Sequence, residues 1–233
     1  MNKNTVIFIL TLSTNISMLF AQKDTYKFDY ILEYSHEFYI DSITETKTEY
    51  YLTNSLDNSY YGFVKELKGD EFEIEFLDRN SKYAKVNVKK SDFNAATFIN
   101  IDCFNALPYK NPYKYQTKHY DFVDQKDTLI DGKTLKSYKI KPNKPKRAKR
   151  NKAGRLVYII KEETEFHSPI FRYSTAYEES LLINLPKGIF KEKIFYDYRG
   201  KIHNKEILQS YKKVDMSIVF SRRLHSEEFD DKN

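Results

Sequence analysis

Hydrophobic and polar positions alternate along much of the chain. Between Tyr26 and Ile40 the even positions are Tyr26, Phe28, Tyr30, Leu32, Tyr34, His36, Phe38 and Ile40, while Lys27, Asp29, Glu33, Ser35 and Glu37 fall on odd ones. Only a period of two sorts residues this way, so the segment predicts one long strand, or a bent pair, that buries its even face. The signal returns at Glu71 to Phe76, where Phe72, Ile74 and Phe76 alternate with Glu71, Glu73 and Glu75. Such strands are half-buried and antiparallel.

Turn chemistry divides the pattern at short intervals. Lys68-Gly69-Asp70, Asp78-Arg79-Asn80-Ser81, Asp131-Gly132 and Arg199-Gly200 each separate two apolar-alternating runs. Asp-Gly is the strongest hairpin signal among them. Two segments read as helical, Ser91 to Leu107 with Pro108 as its stop and Ser174 to Leu185 with Pro186 as its stop. The expected fold is mainly β: a single antiparallel meander of nine to eleven strands, forming a strongly curved sheet or half-barrel with one or two short helices. No linker rich in Pro, Gly or Ser divides the chain, so a single domain is expected over residues 22–220, followed by a polar tail over 221–233.

Residues 1–21 read as a cleavable signal peptide, with Lys3 in a polar start, an apolar stretch, and Ala21 before the cut. The apolar stretch from Thr5 to Ala21 is interrupted by Thr11, Ser13, Thr14, Asn15 and Ser17 and is short for a membrane span. Its ending Phe20-Ala21-Gln22 resembles export signals of Bacteroidetes proteins. No cysteine follows it, so the expected product is exported to the periplasm or cell surface and is not a lipoprotein. The lone cysteine, Cys103, excludes an intramolecular disulfide and, in an apolar run, predicts a buried inert thiol. Twenty Tyr and 17 Phe exclude a disordered chain, and six Gly and six Pro exclude collagen-like and low-complexity classes.

Catalytic chemistry finds no support. The histidines His36, His119, His167, His203 and His225 stand alone, without a second His or Cys at ligand spacing, so no metal site is predicted. His167 precedes Ser168, but sequence adjacency does not make a base and nucleophile pair. The Asp series Asp121, Asp124, Asp127 and Asp131 lacks the ligand spacing of a calcium loop, and Asp57 begins a loop with Lys68 where the closing Glu belongs. No GxSxG, P-loop or GxGxxG occurs, so neither an enzyme nor a cofactor is expected.

The most distinctive segment is basic. Lys139 to Arg155 carries nine Lys and Arg and no acid in seventeen residues. Pro142, Pro145 and Gly154 predict a long loop between strands, and its candidate contacts for an anionic surface are Lys144, Lys146, Arg147, Lys149, Arg150 and Lys152. The whole chain has a formal charge of +6. Without residues 1–21 it is +5, and without the basic segment as well, 29 basic residues face 33 acidic ones, a balance of −4. The basicity therefore belongs to one segment. A nucleic-acid role conflicts with export, and the segment has no aromatic residue on which bases could stack.

Residues Leu185 to Val214, LPKGIFKEKIFYDYRGKIHNKEILQSYKKV, resemble the late hairpin of LolA/LolB-like periplasmic half-barrel proteins. That resemblance implies a curved antiparallel sheet, partly plugged by helices, holding acyl chains on its concave side. The extended basic segment and heavy Tyr content depart from that pattern. The expected function is a non-enzymatic envelope binding protein. A lipid or acyl chain would lie on an apolar face made of Tyr26, Phe28, Tyr30, Leu32, Tyr34, Phe72, Ile74 and Phe76, and the basic segment would meet an anionic membrane or lipopolysaccharide. The alternative is a structural or protein-interaction module whose sheet faces are filled. An outer-membrane barrel fits less well, because the tail lacks a terminal aromatic strand.

Overall fold

The first and last strands pair with each other, and the rest of the sheet grows outward from that junction. The computed structural model describes residues 25–40, 43–124, 127–130 and 132–221; the predicted signal peptide and residues 222–233 of the predicted tail lie outside them. Strand β1 (Thr25–Ile40) runs antiparallel to β14 (Ile202–Ser221) along most of its length. On one side follow β2 (Ile43–Thr53), β3 (Tyr60–Glu66), β4 (Glu71–Asp78), β5 (Lys82–Lys89) and the short edge strand β7 (Ala106–Pro108). On the other lie β13 (Phe190–Tyr196), β12 (Arg155–Ile160), β11 (Ser137–Pro142) and the edge strand β8 (Tyr120–Asp124). Strand β6 (Phe98–Asp102) branches off parallel to the end of β14, and β9 (Thr128–Ile130) and β10 (Lys133–Leu135) form a separate hairpin.

The sheet is mainly antiparallel, open and curved, as a half-barrel is. Register shifts opposite Phe28–Tyr30 and Glu33–Tyr34 interrupt the β1–β14 ladder, each with one extra residue on β14, and a bulge of this kind bends a strand and increases its twist. The predicted even face divides at the first shift. Phe28 packs in the same cluster as Ile31, Leu52, Val64, Phe72, Ile74 and Phe76, while Tyr30, Leu32 and Tyr34 pack with Tyr51, Tyr61 and Phe63. The even residues are mostly buried, but they serve two faces.

Fourteen strands occur among the described residues rather than nine to eleven, because several connections contain short strands of three to five residues. The predicted helix at Ser91 to Leu107 shrinks to α1 (Lys90–Ala95), followed by β6, a 3-10 turn at Cys103–Asn105 and β7. Alternation wins beyond Ala95: Ile99 and Ile101 are buried while Phe98 and Asn100 are exposed. Cys103 is exposed, which corrects the buried thiol, since the turn carries it outside the β6 alternation. The second predicted helix appears as α3 (Ser174–Ser180).

The basic segment is not a long loop. Its first residues continue β11, and Pro145–Arg150 form a helix, α2. Pro145 occupies the first turn, where its fixed φ suits a helix and its missing N–H costs nothing. Ala, Lys and Arg follow, all good helix formers, and Arg147, Lys149 and Arg150 in the last turn favour the negative end of the helix dipole. Lys152, with φ of 52°, then turns the chain into β12.

Candidate functional site

One face of the sheet is filled by the chain itself. Residues 161–189, between β12 and β13, lie across it as a plug whose Ile170, Phe171, Ala176 and Tyr177 join the buried clusters of Tyr34, Tyr51, Phe63, Tyr138 and Tyr158. The neck of the plug is tied by the Lys161 N–H donating to Ile189 O at 2.8 Å and the Gly188 N–H donating to His167 O at 2.9 Å. Gly188 sits at φ 141°, and a Cβ there would lie 2.4 Å from Ile160 Cγ2, so both conformation and space require glycine. His167 is fully buried. Its Nδ1 lies 2.6 Å from Ser168 O and its Nε2 2.8 Å from Thr53 Oγ1, so a neutral ring donates at Nδ1 and accepts at Nε2. Burial pushes its pKa down, consistent with that neutral form. Arg79, in the turn after β4, clips the plug from the other side. It donates to Phe171 O and Ser174 Oγ and lies 4.4 Å over the Tyr177 ring.

Beneath the plug runs a transverse row of buried polar residues set by strand register. Tyr138, Tyr158, Lys193, Glu206 and His36 are successive cross-strand partners on β11, β12, β13, β14 and β1. Lys193 Nζ lies 2.5 Å from Glu206 and 4.2 Å from the centroids of both Tyr34 and Tyr51. The Tyr51 hydroxyl donates to Glu206 at 3.0 Å, and Glu49 holds His36 Nδ1 at 2.8 Å. Burial alone would raise the Glu206 carboxyl, but the charge of Lys193, with His36 and Arg172, holds it below the usual carboxylate range. Burial likewise lowers the Lys193 ammonium, with Glu206 opposing it in part. The space left here is small, a cavity of about 10 Å³ beside Arg172, Tyr173 and Asn204.

Among the described residues, three surface spaces of about 600–740 Å³ remain, one between Phe72 and Met216, one beside Tyr30 and Phe166, and one outside the plug against the basic segment. A cleft of about 600 Å³ separates α2 from the 3-10 helix Lys114–His119. Lys144, Arg147, Ala148 and Asn151 face it from α2, at the spacing of one helix face. Lys118 and His119 face it from the other side, with Tyr115 and Tyr120; among the described residues no Asp or Glu lines it, although Asp121 accepts from Asn143 of its wall at 3.4 Å. The Asn143 N–H donates to His119 O at 2.9 Å and its side chain donates to Lys118 O, fixing one wall against the other. Partial burial and the charges of Arg147, Lys118 and Lys144 push the His119 pKa down, and its Nδ1 is buried without a hydrogen-bond partner.

A smaller pocket of about 290 Å³ adjoins the cleft and shares Tyr120 and Ala153 with it. Ile140, Leu156, Ala176 and Phe195 line it together with Tyr173, Lys152 and Arg155. Gly154 lines it where β13 approaches closely: a Cβ there would lie 2.2 Å from Tyr196 O and 2.6 Å from the Phe195 ring.

Of the six predicted basic contacts, Lys144 and Arg147 line the cleft and Lys152 lines the pocket, while Lys146, Lys149 and Arg150 are exposed and line neither. The predicted apolar face divides. Tyr26, Phe28, Phe72, Ile74 and Phe76 pack into a core with α1, β6 and the end of β14, where Phe72 also lines a surface cleft of about 610 Å³, and Tyr30, Leu32 and Tyr34 lie under the plug, where Tyr30 also lines an open space of about 740 Å³. Sequence reasoning missed Lys118, His119, Lys193 and Glu206. The first two lacked any local pattern, and the last two alternate with apolar residues as surface charges also do.

No family model and no curated protein matches this sequence. Among solved structures, the chain is similar to one from the Pseudomonas aeruginosa MucA/MucB complex, at 6% identity and a TM-score of 0.42, over 83% of this chain and 53% of that one. It is also similar to a DUF1329 family protein from Desulfovibrio piger, at 8% identity and a TM-score of 0.33, over 87% and 90% of the two chains. A LolA superfamily protein from Nitrosomonas europaea matches at 8% identity and a TM-score of 0.32, over 81% and 87%. This chain spans about half the length of the MucA/MucB chain it matches. A member of the superfamily that the late hairpin resembles is therefore one of the solved structures to which the chain is similar.

Proposed function

We propose that the protein is an exported, non-enzymatic binding protein of the bacterial envelope that engages anionic lipid headgroups or lipopolysaccharide through α2 and its cleft. The observation that carries this reading is the cleft, where Lys118, Lys144 and Arg147 converge and, among the described residues, no acidic side chain lines the walls. Each Lys or Arg near an anionic bilayer contributes about 1 kcal/mol. The plug favours a second reading, a protein-interaction module with a filled interior. A chain held on the plugged face would have to displace Ile170, Phe171 and Tyr177.

Co-sedimentation with vesicles of phosphatidylglycerol or of phosphatidylcholine separates the readings. Binding to the anionic vesicles alone, weakened by salt, and its loss when Lys144, Lys146, Arg147, Lys149, Arg150 and Lys152 are all replaced by Ser, are the expected results. No binding to either vesicle, with no lipid accompanying the protein purified from its host, would leave the second reading.

A further inference from the structure

We propose that the basic cleft and the pocket beside it form one site for a phosphate-bearing amphiphile with a single apolar chain, its head between Arg147 and His119 and its chain against Phe195. This rests on the reading that the cleft takes anions, and adds to it a ligand of defined chemistry.

Three observations carry the assignment. The two spaces adjoin, because Tyr120 and Ala153 belong to both walls. Their characters differ in the order an amphiphile requires. The cleft offers Lys118, Lys144 and Arg147, and a guanidinium pairs with phosphate oxygens through parallel N–H donors. The pocket offers Ile140, Leu156, Ala176 and Phe195, with cations only from Lys152 and Arg155. Ile140, Leu156 and Ala176 are already buried at its base, so a chain would cover the rings of Phe195 and Tyr173, which a free phosphate or sugar phosphate would leave bare. Finally, Lys144 and Arg147 from one wall and Lys118 from the other lie close enough for their charges to act together on His119, so positive potential is concentrated between the walls.

Calorimetric titration of the mature chain with inorganic phosphate, glycerol 3-phosphate, octanoate, and 1-octanoyl lysophosphatidic acid below its critical micelle concentration tests this. The lysophosphatidic acid should bind roughly tenfold or more tightly than glycerol 3-phosphate. Thr175→Trp, placed on the α3 wall of the pocket, should reduce it to the glycerol 3-phosphate value. Arg147→Ala should weaken both organic phosphates. Ala153→Trp, at the junction, serves as a second blocking variant, and circular dichroism confirms that each is folded. Equal affinity for glycerol 3-phosphate or inorganic phosphate and the amphiphile, or an amphiphile affinity unmoved by both Trp variants, would overturn the inference. If the anionic vesicles still bind in that case, only the amphiphile site is lost; if they do not, the cleft reading falls with it.

Discussion

Burying Lys193 and Glu206 costs several kcal/mol per ion before their attraction is counted, so each is tolerable only while the other is present. The pair lies 2.5 Å apart, with Tyr51 donating to the same carboxylate. Lys193→Met removes the direct counter-charge of a buried carboxylate, leaving it only the Tyr51 hydroxyl and the charges of His36 and Arg172, and should destabilise the protein by about 3–5 kcal/mol in urea denaturation. Lys193→Met with Glu206→Leu removes both charges and should recover most of that loss; additive single effects would refute the pairing argument. The pH response has a definite sign. The folded-state pKa of Glu206 is depressed, so its contribution is present above the ordinary carboxylate pKa and is lost as pH falls through the lower folded value. Glu206→Gln should therefore flatten the acid limb of a stability-against-pH curve. None of this was legible in the sequence, because alternation tells which way Lys193 faces and not what it meets across the sheet. His36 was legible as a core histidine, since its strand was regular enough to place it.

At the scale of elements, the basic segment shows where reading the chain fails and why. Two prolines in four residues look like a broken strand, yet Pro142 closes β11 and Pro145 opens α2, and the two roles cannot be told apart without knowing where the pairing stops. Strands β1 and β4 and the glycine turns were legible because period two and left-handed glycines are local signals: Gly69, Gly132 and Gly200 all have positive φ. The plug was not, because residues 161–189 owe their place to Arg79 and Thr53, which are distant in sequence. Helix α2 matters to the cleft through geometry as well as charge. Ala148→Pro deletes the N–H that donates to Lys144 O at 2.9 Å, and a helix-interior proline costs about 3 kcal/mol locally, while all six candidate basic side chains remain. Binding to phosphatidylglycerol vesicles should change little, since a flexible cationic strand also approaches a bilayer. Titration with glycerol 3-phosphate should weaken several-fold, because Lys144 and Arg147 no longer share a wall. An unaltered phosphate titration would show that the helix does not shape the cleft.

For the whole molecule, the question is whether net charge or its placement governs attraction to an anionic surface. Without residues 1–21 the chain carries 38 basic and 33 acidic residues, yet outside Lys139 to Arg155 the acids are in excess. At the ionic strength of the cell the screening length is about 8 Å, shorter than the span of a sheet of this size, so distant charges contribute little to any one contact. Two variants of equal net charge therefore separate the possibilities. Replacing Lys144, Lys146, Arg147, Lys149, Arg150 and Lys152 by Ser leaves 32 basic residues against 33 acidic ones. Replacing the exposed Lys27, Lys47, Lys68, Lys89, Lys187 and Lys213 by Ser leaves the same balance with α2 untouched. If placement governs, the scattered variant should keep most of its affinity for phosphatidylglycerol vesicles at 0.15 M salt while the α2 variant loses it. Lowering the ionic strength to about 0.01 M extends the screening length to roughly 30 Å and should narrow the difference, as the body charges come within reach. Equal losses in both variants at physiological salt would assign the attraction to net charge and deprive the cleft of its role.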